Sequence, residues 1–275
     1  MFLRPRTLSE AVEALEAPGV QILAGGTDFF PALGERQITT PVVDITAIPE
    51  LSGIAITQSE IRIAGRTTWS EVIAAPLPRC FDALKQAARE VGSIQIQNRG
   101  TVAGNLCNAS PAADGVPPLL ALDAEVELIS RAGARRLPLA AFITGNRRTE
   151  RRPTEILSAV ILPRTIEGPS VFLKLGARRY LVISIAMAAA ILEDDGGKVG
   201  QARIAVGSCS AVAQRLPELE RALAGAPFAP GIGARVEPQH LAALSPIGDV
   251  RATAAYRRDA ARTLVARALE RCVSG

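Results

Sequence analysis

Apolar spacing changes several times along the chain, and each change predicts an element. Thr7 and Ser9 can cap a helix, and Ala11, Val12 and Leu15 follow at helical spacing. Residues 20–24 (V-Q-I-L-A) read as a short buried strand and 42–45 as the next, giving a small strand–helix–strand unit. Alternation over 53–65 predicts a hairpin. Thr68 with Glu71 three residues on forms a capping box that opens a helix, and 81–91 carries another, ended by Gly92. A short helix at 117–122, strands at 124–130 and 135–138 around Gly133, and a strand at 156–162 closed by Pro163 follow. Past 165–170 the organisation changes. It predicts a strand at 171–175, a buried helix at 180–193 holding the apolar run 181–192, a turn at D-D-G-G (194–197) and a strand at 202–207. Helices at 216–224 and 252–272 flank a Pro- and Gly-rich stretch at 227–248 that predicts irregular chain.

One stretch fits none of these periods. Residues 94–114 (I-Q-I-Q-N-R-G-T-V-A-G-N-L-C-N-A-S-P-A-A-D) are low in charge and dense in small residues, Asn, Ser and Thr. Gly100, Thr101, Ala103, Gly104 and Asn105 leave backbone N–H groups almost uncovered, and successive N–H groups form an anion-binding concavity. The strand at 20–24 ends in Gly25, Gly26, Thr27 and Asp28, placed to present N–H groups to a diphosphate. Both segments also suit plain polar turns. Their length and order favour a backbone cradle for a large phosphate-bearing ligand.

Composition narrows the class. The chain has 275 residues, 48% hydrophobic and 21% charged, enough for two domains with a buried core. An aromatic share of 4% argues against a base-stacking platform, so no nucleic-acid partner is expected. Net charge is +4; the basic run at 147–152 (R-R-T-E-R-R) reads as a solvated loop. The N-terminus has charge and proline where a signal peptide needs an apolar region, and run 181–192 is too short to span a bilayer. Four cysteines lie far apart with no C-x-x-C, so no cluster or structural zinc is expected in this chain, and reduced thiols in the cytoplasm are. The single histidine, His240, has no motif around it. There is no G-x-G-x-x-G after a strand and no G-x-x-x-x-G-K-[ST], so a dinucleotide would be bound outside the Rossmann scheme.

A-G-G-T-D at 24–28 followed by N-R-G-T-V-A-G-N-L-C-N-A-S-P-A-A-D at 98–114 resembles the FAD-binding medium subunit of the molybdenum hydroxylases, the family of carbon monoxide dehydrogenase and the xanthine dehydrogenase flavin domain. The resemblance implies an α+β, non-Rossmann fold of the vanillyl-alcohol-oxidase/PCMH type. An FAD-binding domain would span 1–166, with subdomains 1–55 and 56–166. A C-terminal domain of a small antiparallel sheet plus helices would span 167–275. It implies that Ala24, Gly25, Gly26, Thr27 and Asp28, with Thr101, Ala103, Gly104 and Asn105, hold the FAD diphosphate. It places Asp114 on the ribose or adenosine side, Leu157 against the adenine region, Lys174 beside the flavin and Ile183 near the isoalloxazine face. Ala103 stands where the family often has glycine, Gln97 where it often has arginine, and Val182 where an acidic residue is usual.

The implied role is electron transfer. Electrons from a molybdenum cofactor in a large partner subunit would pass through [2Fe–2S] clusters in a small iron–sulfur subunit to FAD here, then to an external acceptor. The assembly would be a hetero-oligomer, a heterotrimer that is doubled. FAD would be held without a covalent link. A self-contained flavin oxidase or dehydrogenase, and a structural subunit without flavin, are the alternatives.

Overall fold

The computed structural model describes residues 1–274. Three sheets follow one another along the chain. In the first, β1 (Phe2–Leu3) and β2 (Gln21–Leu23) both pair in parallel with β3 (Val42–Asp44). Helix α1 (Leu8–Ala14) crosses between them, started by Thr7, whose Oγ1 accepts from Glu10 N at 3.2 Å. Helix α2 (Phe29–Leu33) follows β2. Ala11, Val12, Leu15, Val43, Ile45, Ile48 and Leu51 form the core of this unit, which Ile156 joins from the second sheet.

The second sheet is antiparallel and runs β4 (Ile54–Ile56), β5 (Glu60–Ala64), β10 (Ile156–Pro163), β6 (Glu125–Ser130), β7 (Gly133–Pro138). Between β5 and β6 the chain makes five helices: α3 (Trp69–Ala74), α4 (Asp82–Glu90), α5 (Ile94–Gln97), α6 (Val102–Asn108) and α7 (Val116–Ala121). The Thr68–Glu71 capping box forms at the start of α3. Gly92, which ends the α4 region, has φ +57°, a left-handed conformation that suits glycine. Helix α8 (Leu139–Phe142) and a two-stranded ribbon, β8 (Ile143–Gly145) with β9 (Arg148–Thr149), precede β10.

The third sheet is antiparallel, ordered β11 (Ser170–Leu175), β12 (Ala186–Asp195), β13 (Lys198–Gly207), β14 (Gln214–Arg215). Helices α9 (Pro217–Leu223) and α10 (Ala254–Ser274) complete it. The irregular stretch before α10 holds two 3₁₀ turns, Ile232–Arg235 and Pro238–Leu241, and His240 Nδ1 accepts from Glu237 N there at 3.1 Å.

The sequence expectation of a helix over 180–193 is corrected: the apolar run is the central strand β12, entered through an irregular loop. Its residues alternate between two cores. Met187, Ala189 and Ile191 join the large core with α4 and α7, while Ala186, Ala188, Ala190 and Leu192 join the core under α10. A strand covered on both faces loses the period-2 signal, and a run rich in alanine then imitates a buried helix. The same double burial makes the second and third sheets share one hydrophobic core, since Phe172, Met187 and Ala205 pack with Trp69, Leu84 and Leu119. No helix among the described residues is long and apolar enough to cross a membrane.

Candidate functional site

A cavity of about 660 Å³ lies between the first and second sheets and the helices after β5. It falls within the size range of small-molecule and cofactor pockets. Ala24, Gly25, Gly26, Thr27 and Asp28 line it as the turn between β2 and α2. Thr101, Ala103, Gly104 and Asn105 line it from the start of α6, and Leu157 from β10. Ten of the thirteen residues expected from the sequence therefore meet on one surface.

The two segments touch. A Cβ built on Gly25 would lie 2.0 Å from the carbonyl oxygen of Arg99, so only a glycine lets the chains approach this closely. Gly26 has φ +76° and packs under Phe30. Among the described residues, the backbone N–H groups of Gly25, Gly26, Thr27, Asp28, Thr101 and Ala103 find no acceptor. Buried or half-buried N–H groups are normally satisfied, so a cluster of free ones around a cavity asks for an external acceptor.

The stretch at 101–105, which shows no helical period in the sequence, is the opening of a helix. Thr101 Oγ1 accepts from Gly104 N at 3.0 Å, and a Cβ on Gly104 would stand 2.7 Å from that oxygen. Short helices of small and polar residues carry no apolar stripe, which is why α5 and α6 gave no helical period. Ala103 sits inside this turn with ordinary helical backbone, so its methyl group brings no strain. Asn105 Oδ1 is buried and has no hydrogen-bond partner. An orphaned buried carbonyl of this kind has a place for a ligand donor.

Trp69, the single tryptophan, forms a wall below this turn. Its backbone N–H donates to Gly100 O at 3.1 Å, and Gly100 and Gly115 both lie against its ring. In the sequence it stands only inside the Thr68–Glu71 capping box.

Asp114, Lys174 and Ile183 do not line the cavity. Lys174 Nζ donates to Asp114 Oδ2 at 2.7 Å and Ser184 Oγ donates to Oδ1 at 2.6 Å. Burial pushes the Asp114 carboxyl above the ordinary carboxylate value, while Lys174 and Ser184 pull the other way. Lys174 Nζ also reaches Glu90 O at 3.5 Å, next to Val91 in the cavity wall, and Gly115 lies against Asn105. The pair thus borders the cavity from behind. Ile183 is half exposed on the loop before β12, where Val182 packs on Gly176.

The basic run at 147–152 is not simply solvated. Arg147 donates to Asn108 Oδ1, and Arg151 lines the cavity with Cys107 and Asn108. Burial raises the Cys107 thiol to about 11, with Arg151 acting against the shift.

Free N–H groups beside a glycine contact, an orphaned Asn105 oxygen and a facing arginine fit FAD: the first suit its diphosphate, and the others suit donors and acceptors of its two halves.

Comparison with known proteins gives the same direction. Residues 1–165 match the FAD binding domain in molybdopterin dehydrogenase, and residues 172–272 match the CO dehydrogenase flavoprotein C-terminal domain. The nicotinate dehydrogenase FAD-subunit of Eubacterium barkeri is 35% identical, over 82% of this chain and 80% of that one. The carbon monoxide dehydrogenase medium chain of Hydrogenophaga pseudoflava is 27% identical, over 96% and 94%. Among solved structures, quinoline 2-oxidoreductase from Pseudomonas putida 86 superposes with a TM-score of 0.92 at 25% identity, covering 100% of this chain and 96% of that one. A Cu,Mo-CO dehydrogenase in its cyanide-inactivated form gives 0.91 at 26% identity, over 99% and 97%. The chain belongs to the family of FAD-binding flavoprotein subunits of the molybdopterin dehydrogenases.

Proposed function

We propose that this chain binds one FAD without a covalent link and serves as the electron-transfer subunit of a molybdenum hydroxylase. FAD, when bound, takes electrons singly and gives them up singly or as a hydride. The chain's own residues bind and orient it. The N–H groups of residues 25–28, 101 and 103 take the diphosphate, and Leu157 packs on the adenine. Lys174 and Ile183 belong to the flavin side, where a lysine favours negative charge on a reduced ring. Asp114 acts there through its bonds to Lys174 and Ser184, in place of a direct ribose contact.

The partners in this reading are a small subunit with [2Fe–2S] clusters and a large subunit with the molybdenum cofactor, in a dimer of heterotrimers in the cytoplasm. The fold is of the PCMH type, with its flavin-binding part at 1–166 and its C-terminal part at 167–275.

The observation that carries this reading is the group of N–H donors without acceptors around the Gly25–Arg99 contact. The test is the visible absorption spectrum of the purified chain, with any cofactor released by denaturation and identified. Yellow protein that releases FAD supports the proposal. Colourless protein that also fails to take up added FAD sinks it, and flavin that stays on the denatured polypeptide would contradict non-covalent binding.

A further inference from the structure

Arg151 stands between β9 and β10 with an unusual balance of bonds. Its Nη1 donates to the carbonyls of Arg152 at 3.1 Å, Pro153 at 3.4 Å and Glu155 at 2.8 Å. That clamp fixes the guanidinium against the start of β10. Among the described residues Nε and Nη2 have no acceptor, no carboxylate pairs with the group, and neither nitrogen is sealed off from solvent. Its neighbours in the run differ. Arg147 is engaged by Asn108, and Arg152 is largely exposed and faces Glu155. Arg151 alone of these three lines the cavity.

Its place along the cavity limits what it can touch. The free N–H groups gather at the Thr101 end of α6, whereas Arg151 shares the lining with Cys107 and Asn108 at the other end. Seven helical residues separate these ends by about 10 Å. A diphosphate on the N–H groups leaves Arg151 to one of the flanking halves of a dinucleotide. The walls beside Arg151 are Ile156 and Leu157, 1% and 3% exposed, on the central strand of the second sheet. Lys174, which the FAD reading gives to the flavin side, reaches Glu90 O in the segment that packs through Gly92 on Ile96, beside Gly100 at the Thr101 end, so the adenosine half is the one left to Arg151. Adenosine offers ring-nitrogen acceptors at the edge of its base and oxygens on its ribose.

Resting on the FAD reading, we infer that Arg151 is a specificity-determining residue for the adenosine half, donating from Nε or Nη2 to a ring nitrogen or ribose oxygen. A charged donor fixed in advance loses little conformational freedom when it binds.

The experiment titrates the flavin-free full chain with FAD, FMN and ADP by calorimetry, for wild type, R151A, R151Q and R152A. We expect R151A and R151Q to weaken FAD and ADP by about tenfold or more and to leave FMN unchanged. R152A should bind all three as wild type does. Melting of the flavin-free variants checks the clamp, and R151Q keeps a polar side chain there if R151A does not fold. Wild-type affinity of both Arg151 variants for ADP would overturn the inference while leaving the FAD reading intact. Equal loss for FMN would also overturn it, because a ring contact or a loosened cavity would then explain the effect. A wild-type chain that binds no FAD fails the function reading itself.

Discussion

Gly25 and Arg99 meet so closely that a Cβ on residue 25 would lie 2.0 Å from the Arg99 carbonyl oxygen. The obstacle is backbone and cannot rotate away. In G25A the two segments must separate by more than an ångström, which pulls the free N–H groups out of register. FAD affinity should fall at least about tenfold, while the hydrophobic cores, which this turn does not enter, keep the chain folded. Flavin content after purification and quenching of Trp69 fluorescence by added FAD measure it. A G25A chain with wild-type flavin content would show that the contact does not shape the site.

Gly25 also marks what the sequence made legible. Its segment and the one from Thr101 could be read because glycine runs after a strand have few uses, and the structure brings both to one cavity. Strands with one solvated face were readable from alternation, as in β4 and β5. β12 was not, since Met187 and Ala188 point into two different cores and from Ala186 to Leu192 no polar residue marks either face. Trp69 and Arg151 were missed for another reason. Each meets the cavity beside residues distant in sequence, Trp69 beside Gly100 and Arg151 beside Cys107, and residue type alone does not announce that.

Thr101 supports the cradle by capping α6. T101A removes the acceptor for Gly104 N and should lower stability by about 1 kcal/mol. T101S keeps the oxygen and should recover most of it. Urea unfolding of the three proteins decides the matter; equal midpoints for T101A and wild type would show that the cap contributes nothing.

Glu127 gives the second sheet an acid-sensitive joint. Arg62 Nη2 donates to its Oε1 at 2.7 Å, Ser158 Oγ donates to the same oxygen at 2.6 Å, and Arg136 Nε approaches Oε2 at 3.4 Å. The Arg62 bond chiefly holds the carboxyl at about 2, against an ordinary 4.5. A depressed folded value means the contribution is complete above the ordinary value and is lost as pH falls toward about 2. It should amount to on the order of 2–3 kcal/mol. E127Q should therefore be less stable than wild type at neutral pH, and the gap should close in acid. A gap that stays constant with pH would assign the loss to packing instead of charge.

Lys174 and Asp114 form an ion pair in which both side chains are more than nine-tenths buried, 7% and 8% exposed. Taking two charges out of water costs about as much as their attraction returns, so the pair as a whole adds little stability. Removing one member is different. K174M leaves a buried carboxylate with Ser184 as its remaining side-chain donor, and should cost about 3–5 kcal/mol. The double variant D114N/K174M removes the stranded charge and keeps an oxygen for Ser184, so it should regain most of that loss. The pH dependence has a definite sign. Without Lys174, burial keeps the Asp114 carboxyl above its unfolded value. Its neutral form is then tolerated in the fold, and stability declines as rising pH ionises it. The K174M deficit should be smaller in mildly acidic than in mildly alkaline buffer, while the double variant shows no such trend. Denaturant unfolding at both ends of that range tests it. Single and double variants that lose the same amount at every pH would mean that the charge is not buried as this geometry has it.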